Sequence, residues 1–175
     1  AAEIDRPDRL YALSAAIQQL IIQSPLPDEL AQALTESQEK MEAAAGKSVP
    51  LAVRSSAIGE DLSGASFAGQ YRSVLNVGRE ALADAFKAVV ASKYGLPAMT
   101  YRLHRGIRDE EVPMCVGCLQ MVDAKAGGVL YTRNPVDIRD EAVIIHATWG
   151  LPKTVVDGSA ATDQFIVQRS SPPVI

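Results

Sequence analysis

The sequence has no apolar stretch near the roughly 20 residues that a helix needs to cross a bilayer. Its beginning, Ala1-Ala2-Glu3-Ile4-Asp5, lacks both the basic flank and the hydrophobic region of a secretion signal. A basic surplus is missing too: 17 Lys and Arg stand against 21 Asp and Glu, a net charge of −4. Nucleic-acid binding needs a concentrated basic surface, so that class is disfavoured. These absences predict a cytoplasmic protein with neither a membrane nor a nucleic acid as partner.

Cysteine is nearly absent. The two present, Cys115 and Cys118, have a CxxC spacing that invites a redox or zinc reading. A structural zinc wants four ligands, and no second CxxC exists. The flanking residues, Val112 to Val122, read as a buried strand, on which positions three apart face opposite ways. Two inert core cysteines and no metal site are therefore expected.

What is present is a hydrophobic content of 47%, enough for a core, in 175 residues that suit one domain or two lobes. Leu10, Leu13, Ile17, Leu20 and Ile21 recur at helical spacing, with Pro7 near the start and Ser24-Pro25 as the stop. Pro27-Asp28-Glu29 opens a second helix with acidic residues in the favourable first turn. Leu30, Ala33, Leu34 and Met41 would line its inner face, and Gly46 is a natural end. Residues 1–48 thus read as an antiparallel helical pair.

The character changes at Val49. Pro50 to Arg54 is a short strand candidate, and Tyr71 to Val77 alternates with Tyr71, Ser73, Leu75 and Val77 on one face. Helices are expected from about Arg79 to Tyr94, with Leu82, Phe86, Val89 and Val90 inward, and from Pro97 to Arg105. Strands follow at Val112 to Val122 and Gly127 to Thr132, joined by a hairpin-like Asp123-Ala124-Lys125-Ala126, then at Ala142 to His146 and Gln164 to Val167. Helices flanking mostly antiparallel strands make an α+β layered fold. A main portion over 49–169 and a linker start at 170–175 complete the division. The missing initiating Met and the ending Ser170-Ser171-Pro172-Pro173 suggest an excised segment.

Chemistry concentrates between Arg54 and Gln70. The loop there is rich in Ser, Ala and Gly, so backbone N–H groups can come close to phosphate oxygens. A guanidinium at a strand end adds a fixed, bidentate cation, and Ser55, Ser56 and Ser66 offer hydroxyl donors. A surface loop with a solvated arginine fits the same residues. Such loops are common, so composition alone favours that reading and does not choose a phosphate site.

Four blocks in register do. Val53-Arg54-Ser55-Ser56-Ala57-Ile58-Gly59-Glu60-Asp61-Leu62, Ala65-Ser66-Phe67-Ala68-Gly69-Gln70 and Val74-Leu75-Asn76-Val77 closely resemble the signature of the phosphoenolpyruvate synthase and pyruvate phosphate dikinase family, which rifampin phosphotransferases share. Gln120-Met121-Val122 with Gly127 to Pro135, then Ala147-Thr148-Trp149-Gly150-Leu151, then Val155-Val156 to Phe165, are similar to its later blocks. The resemblance implies an ATP-grasp-like fold over about residues 49 to 167. It also implies that Arg54 contacts ATP phosphates and bears on catalysis, with Ser55 and Ser56 beside it. Gly69 would lie in the covering loop, Ser73 at the nucleotide, and Gln120 near the adenine.

The implied parent reaction turns ATP, pyruvate and water into phosphoenolpyruvate, AMP and phosphate through a phosphohistidine on another domain of the same chain. A dikinase using phosphate, another phosphotransferase sharing the ATP module, or a non-catalytic ATP-binding module remain alternatives. His104, in a basic helix, reads as surface, and His146, ending a strand, reads as a structural group; neither suits the phosphocarrier. The family's lysine segment and its Mg²⁺-holding Glu and Gln strands do not occur here, so this piece alone is expected to be inactive. Departures stand at Ile58-Gly59, Pro152-Lys153 and His146. Strand faces left bare by truncation would favour self-association, and a homo-oligomer stays open.

Overall fold

The computed structural model describes residues 7–57, 61–62, 65–66, 69–159 and 161–170, without the side chains of residues 61, 62, 65 and 66. The departures at Ile58 and Gly59, the Ser66 hydroxyl and the linker beyond Ser170 lie outside it.

Helix α1 (Pro7–Gln23) starts on a proline, whose fixed φ suits the first helical position. Helix α2 (Asp28–Ala45) has Asp28 and Glu29 in its first turn and ends on Gly46, left-handed at φ 65°. Next come β1 (Leu51–Ala57), the short strands β2 (Asp61–Leu62) and β3 (Ala65–Ser66), and β4 (Ser73–Val77). A 3-10 turn (Arg79–Ala81) leads to α3 (Leu82–Ser92), α4 (Leu96–Arg105) and β5 (Met114–Gln120). The remainder is β6 (Ala126–Tyr131), β7 (Val143–Trp149), α5 (Lys153–Asp157) and β8 (Asp163–Val167). The architecture is α+β, and among the described residues no helix is long and apolar enough to cross a membrane.

The chain forms two compact units, Ala1–Met121 and Val122–Ile175. In the first, an antiparallel sheet runs β4-β1-β5. Leu51 and Val53 of β1 and Val77 of β4 pack on Leu82, Ala85 and Val89 of α3, with Leu34 and Met41 of α2 at the margin. Full burial of each such Leu or Val side chain contributes about 1.5–3 kcal/mol. Helix α1 rests on α3 and α4, and α2 on α3, so the N-terminal helices share α3 more than each other. The Ser14 hydroxyl ties α1 down by donating to the Tyr94 carbonyl at 2.6 Å.

Strand β4 departs from simple alternation. Leu51 pairs with Val77 but Val53 pairs with Val74, so two steps along β1 match three along β4. The extra residue makes a bulge, and Asn76 there has φ 56°. Val74 and Val77 both turn towards α3, and Ser73 lies on the other face instead of sharing one with Leu75 and Val77.

Other expectations also change. β5 and β6 do not form a hairpin: β5 pairs with β1 and β6 with β7, in different sheets. Cys118 opposes Val53 and joins the core margin, whereas Cys115 opposes Ser56 and is exposed, so only one cysteine is a core residue. Their divergence follows the strand's two-residue period. Strand β7 runs three residues past His146, which puts that residue mid-strand. The short α5 carries no helical repeat long enough to stand out in the sequence.

In the second unit the antiparallel order is β6-β7-β8, with α5 against β6 and β7. A loop after β6 is stapled by Asn134, whose amide donates to Asp140 at 2.9 Å while its oxygen accepts the Val136 N–H at 2.9 Å. The Asn134 bond first, and then the Ala142 N–H donating at 3.0 Å, hold the Asp140 carboxyl below its usual range.

Candidate functional site

Arg54 sits mid-strand on β1, the central strand of its sheet, on the face away from α3. Its side chain is exposed, and no hydrogen bond or ion pair among the described residues engages its guanidinium. None of the three strands β1, β4 and β5 contains an Asp or Glu. This is a cation without a counter-ion on its own sheet, open to an incoming anion.

Its two register partners are Ser73 on β4 and Gly117 on β5. Directly opposed side chains have Cβ atoms about 4.5–5.5 Å apart, so an anion on Arg54 is within reach of the Ser73 hydroxyl. Gly117, on the other side, contributes no side chain to block approach. Two residues along β1, exposed Ser56 shares the face of Arg54 and opposes Cys115. In the other direction Ala52 opposes Leu119, which is 50% exposed. The face therefore combines one guanidinium, two hydroxyls and a low apolar edge.

Gly69 lies in the turn just before β4 with φ 74°, a conformation that residues with a Cβ avoid. Nothing lies within 4 Å of where its Cβ would stand, so the requirement there is conformational. Ser55 and Gln120 are placed differently. Ser55 opposes Val116 and Gln120 opposes Leu51, both on the parity of the helix-covered face. Gln120, exposed at the strand end, stands three rows from Arg54, roughly 10 Å along the sheet. Arg54, Ser56 and Ser73 are brought together; Ser55 and Gln120 are not brought to their side.

Gly117 and Leu119 belong to this face although their residue types did not mark them out. A glycine inside an apolar strand was the available signal, since such glycines mark close approach. Among the described residues no group of three His, Cys, Asp or Glu could hold a metal ion.

In the second unit, His146 and Gln164 come within 3.5 Å, and Tyr131 meets the imidazole edge-on at 6.3 Å. Val129, Val155, Val156 and Thr162 complete a cleft of about 400 Å³ around them. His104 is exposed on α4, as a surface residue would be.

Residues 1–175 match the family of the pyruvate phosphate dikinase AMP/ATP-binding domain over their whole length. The chain belongs to that family. Among the relatives of this AMP/ATP-binding domain, the phosphoenolpyruvate synthase of Aeropyrum pernix is 35% identical over 167 residues, covering 94% of this chain and 20% of the relative. That of Neisseria meningitidis is 36% identical over 172 residues, covering 95% and 22%. That of Escherichia coli is 36% identical over 170 residues, covering 95% and 21%. The chain thus spans about a fifth of the length of these relatives.

Parts of the dikinase-family signature have a packing reason here. A Cβ on Gly128 would stand 2.3 Å from the His146 carbonyl oxygen, and one on Gly127 would stand 2.7 Å from Pro152. Glycine at both places lets β6 lie close to β7 and to the turn before α5.

Proposed function

We propose that this chain supplies the phosphate-gripping part of an ATP-grasp-like domain in a longer cytoplasmic enzyme that makes phosphoenolpyruvate. ATP, pyruvate and water would give phosphoenolpyruvate, AMP and phosphate. The observation that carries this reading is the exposed Arg54 guanidinium, without a carboxylate on its sheet and beside Ser73 and Gly117, in a chain of the AMP/ATP-binding family.

Phosphoryl transfer rests on positioning and on neutralising charge spread over phosphate oxygens. Arg54 acts as a planar fork that takes two of those oxygens. Ser73 and Ser56 donate hydroxyl hydrogens to neighbouring oxygens, and the Gly69 turn lets backbone come near them. The strand ladder on both sides fixes the backbone from which the fork extends. Ser55 and Gln120 remain part of the proposed nucleotide environment, Ser55 through its backbone and Gln120 towards the adenine.

Magnesium in such sites sits on carboxylates and substrate phosphates. The described residues here do not fit it, having no metal-holding cluster and no carboxylate on the site's strands. Its ligands, like the phosphocarrier histidine, belong to segments outside this chain.

Incubating the full-length protein with ATP and pyruvate tests the reading. Phosphoenolpyruvate and AMP should appear together, and Arg54→Ala should slow their formation at least about tenfold, the order of losing one preorganised contact. Unchanged turnover and unchanged ATP affinity in that variant would remove Arg54 from the site.

A further inference from the structure

We infer that Asn76 is a positioning residue for the phosphate grip: its left-handed backbone is what turns Ser73 onto the face of Arg54. The inference rests on the reading above and names a residue outside the pair of Arg54 and Ser73.

Strand β4 is pinned at both ends. Downstream, Val77 is 3% exposed opposite Leu51, and Arg79 is held by Glu39 at 3.1 Å and Glu42 at 2.6 Å. Upstream, Val74 packs into the same core cluster and Tyr71 is buried in the next one. One residue too many lies between these anchors, and it must be taken up between Val74 and Val77.

The uptake needs a residue that accepts positive φ. Asn76 has φ 56° and is the one non-glycine among the described residues with positive φ. Asparagine tolerates that region better than residues other than glycine. It is exposed and makes no side-chain hydrogen bond among the described residues, so its contribution is the backbone shape rather than a contact.

Consider β4 without the bulge. Regular alternation back from Val77 would put Leu75 and Ser73 inward and Val74 outward. The hydroxyl would then face α3, and an isopropyl group would stand beside the guanidinium. With the bulge, Ser73 is the direct partner of Arg54. A single dihedral thus decides whether the arginine has a polar neighbour on β4.

The test is ATP binding to the full-length protein, measured by calorimetry with Mg²⁺ present, for a small set of variants. Asn76→Ala and Ser73→Ala should each weaken ATP about fivefold, the scale of one hydrogen bond or one unfavourable left-handed residue. Their combination should be little weaker than either alone, because both remove the same contact. Asn76→Gly, free to adopt positive φ, should bind ATP within about twofold of the parent. Independent losses that multiply, or an Asn76→Gly protein as weak as Asn76→Ala, would overturn the inference. Should Asn76→Ala unfold, Asn76→Gly decides alone, since a fivefold loss there assigns the role to the amide side chain. An Arg54→Ala protein that binds ATP normally sinks the phosphate site itself; a weakened Arg54→Ala beside a neutral Asn76→Ala sinks only the positioning role.

Discussion

Arg54 on β1 and Ser73 on β4 are direct register partners on the open face of the first sheet, and the residue opposite Arg54 on β5 is Gly117. A hydroxyl flanks the guanidinium on one side, and on the other a glycine whose missing Cβ would stand 3.6 Å from the Leu119 side chain. If this row grips phosphate by geometry as well as charge, lysine is a poor substitute. Arg54→Lys should recover less than half of the activity lost in Arg54→Ala, because a point charge replaces a planar fork. Steady-state rates with ATP varied check this; full recovery would mean that charge alone matters.

The cysteines report on the two faces of β5. Burial pushes the Cys118 thiol up, which suppresses its thiolate, whereas Cys115 is exposed. A maleimide at neutral pH should therefore modify Cys115 first, leaving one adduct by mass spectrometry. Oxidation should give no intramolecular disulfide, since the two side chains diverge. In the full-length protein, ATP should slow labelling of Cys115, which stands opposite Ser56 on the face of Arg54.

Gly128→Ala is expected to be costly. Its new Cβ would meet the His146 carbonyl at 2.3 Å, and backbone cannot step aside as a side-chain end can. A loss of about 2–3 kcal/mol in urea unfolding is expected for such overpacking. Gly69→Ala meets open space and should cost about 1–2 kcal/mol, from its left-handed backbone alone.

The ion cluster between α3 and α4 predicts an alkaline limit. Lys93 and Arg102, with side chains 8% and 6% exposed, converge on Asp109. Tyr94 donates to the same carboxylate at 3.0 Å. Burial first, and then that bond, raise the Tyr94 phenol above its usual value. A raised folded-state value means that the unfolded chain loses its proton first, so this contribution is present below about pH 10 and fades above it. Stability measured between pH 8 and 11 should fall less steeply in Tyr94→Phe than in the parent. Equal slopes would exclude Tyr94 as the source.

Much of this could be read in the residues. The helix ends at Ser24-Pro25 and Gly46 follow from local backbone rules, which act regardless of the rest of the fold. Arg54 was marked by its setting at a small-residue loop. The bulge at Asn76 escaped because the run from Tyr71 to Val77 fits plain alternation, and only the anchoring of Val74 and Val77 to α3 forces the extra residue out. The separation of β5 from β6 was hidden for a related reason. A short polar link between two strand candidates looks alike whether the strands pair with each other or with distant partners. The Gly127-Gly128 pair was visible as a motif, but its cause, the His146 carbonyl beneath it, is a contact between strands.

The bulge gives β4 something like a reading frame. Spelling changes on this strand can be gentle, because each position keeps its side of the sheet. A deletion of one residue between Val74 and Val77 would absorb the bulge and leave Val74 inward and Ser73 outward, whereas a deletion elsewhere on the strand would exchange the outward and inward roles of the positions before it. Natural variation along this strand is therefore expected either to keep the extra residue, with one that tolerates positive φ at position 76, or to lose that residue alone.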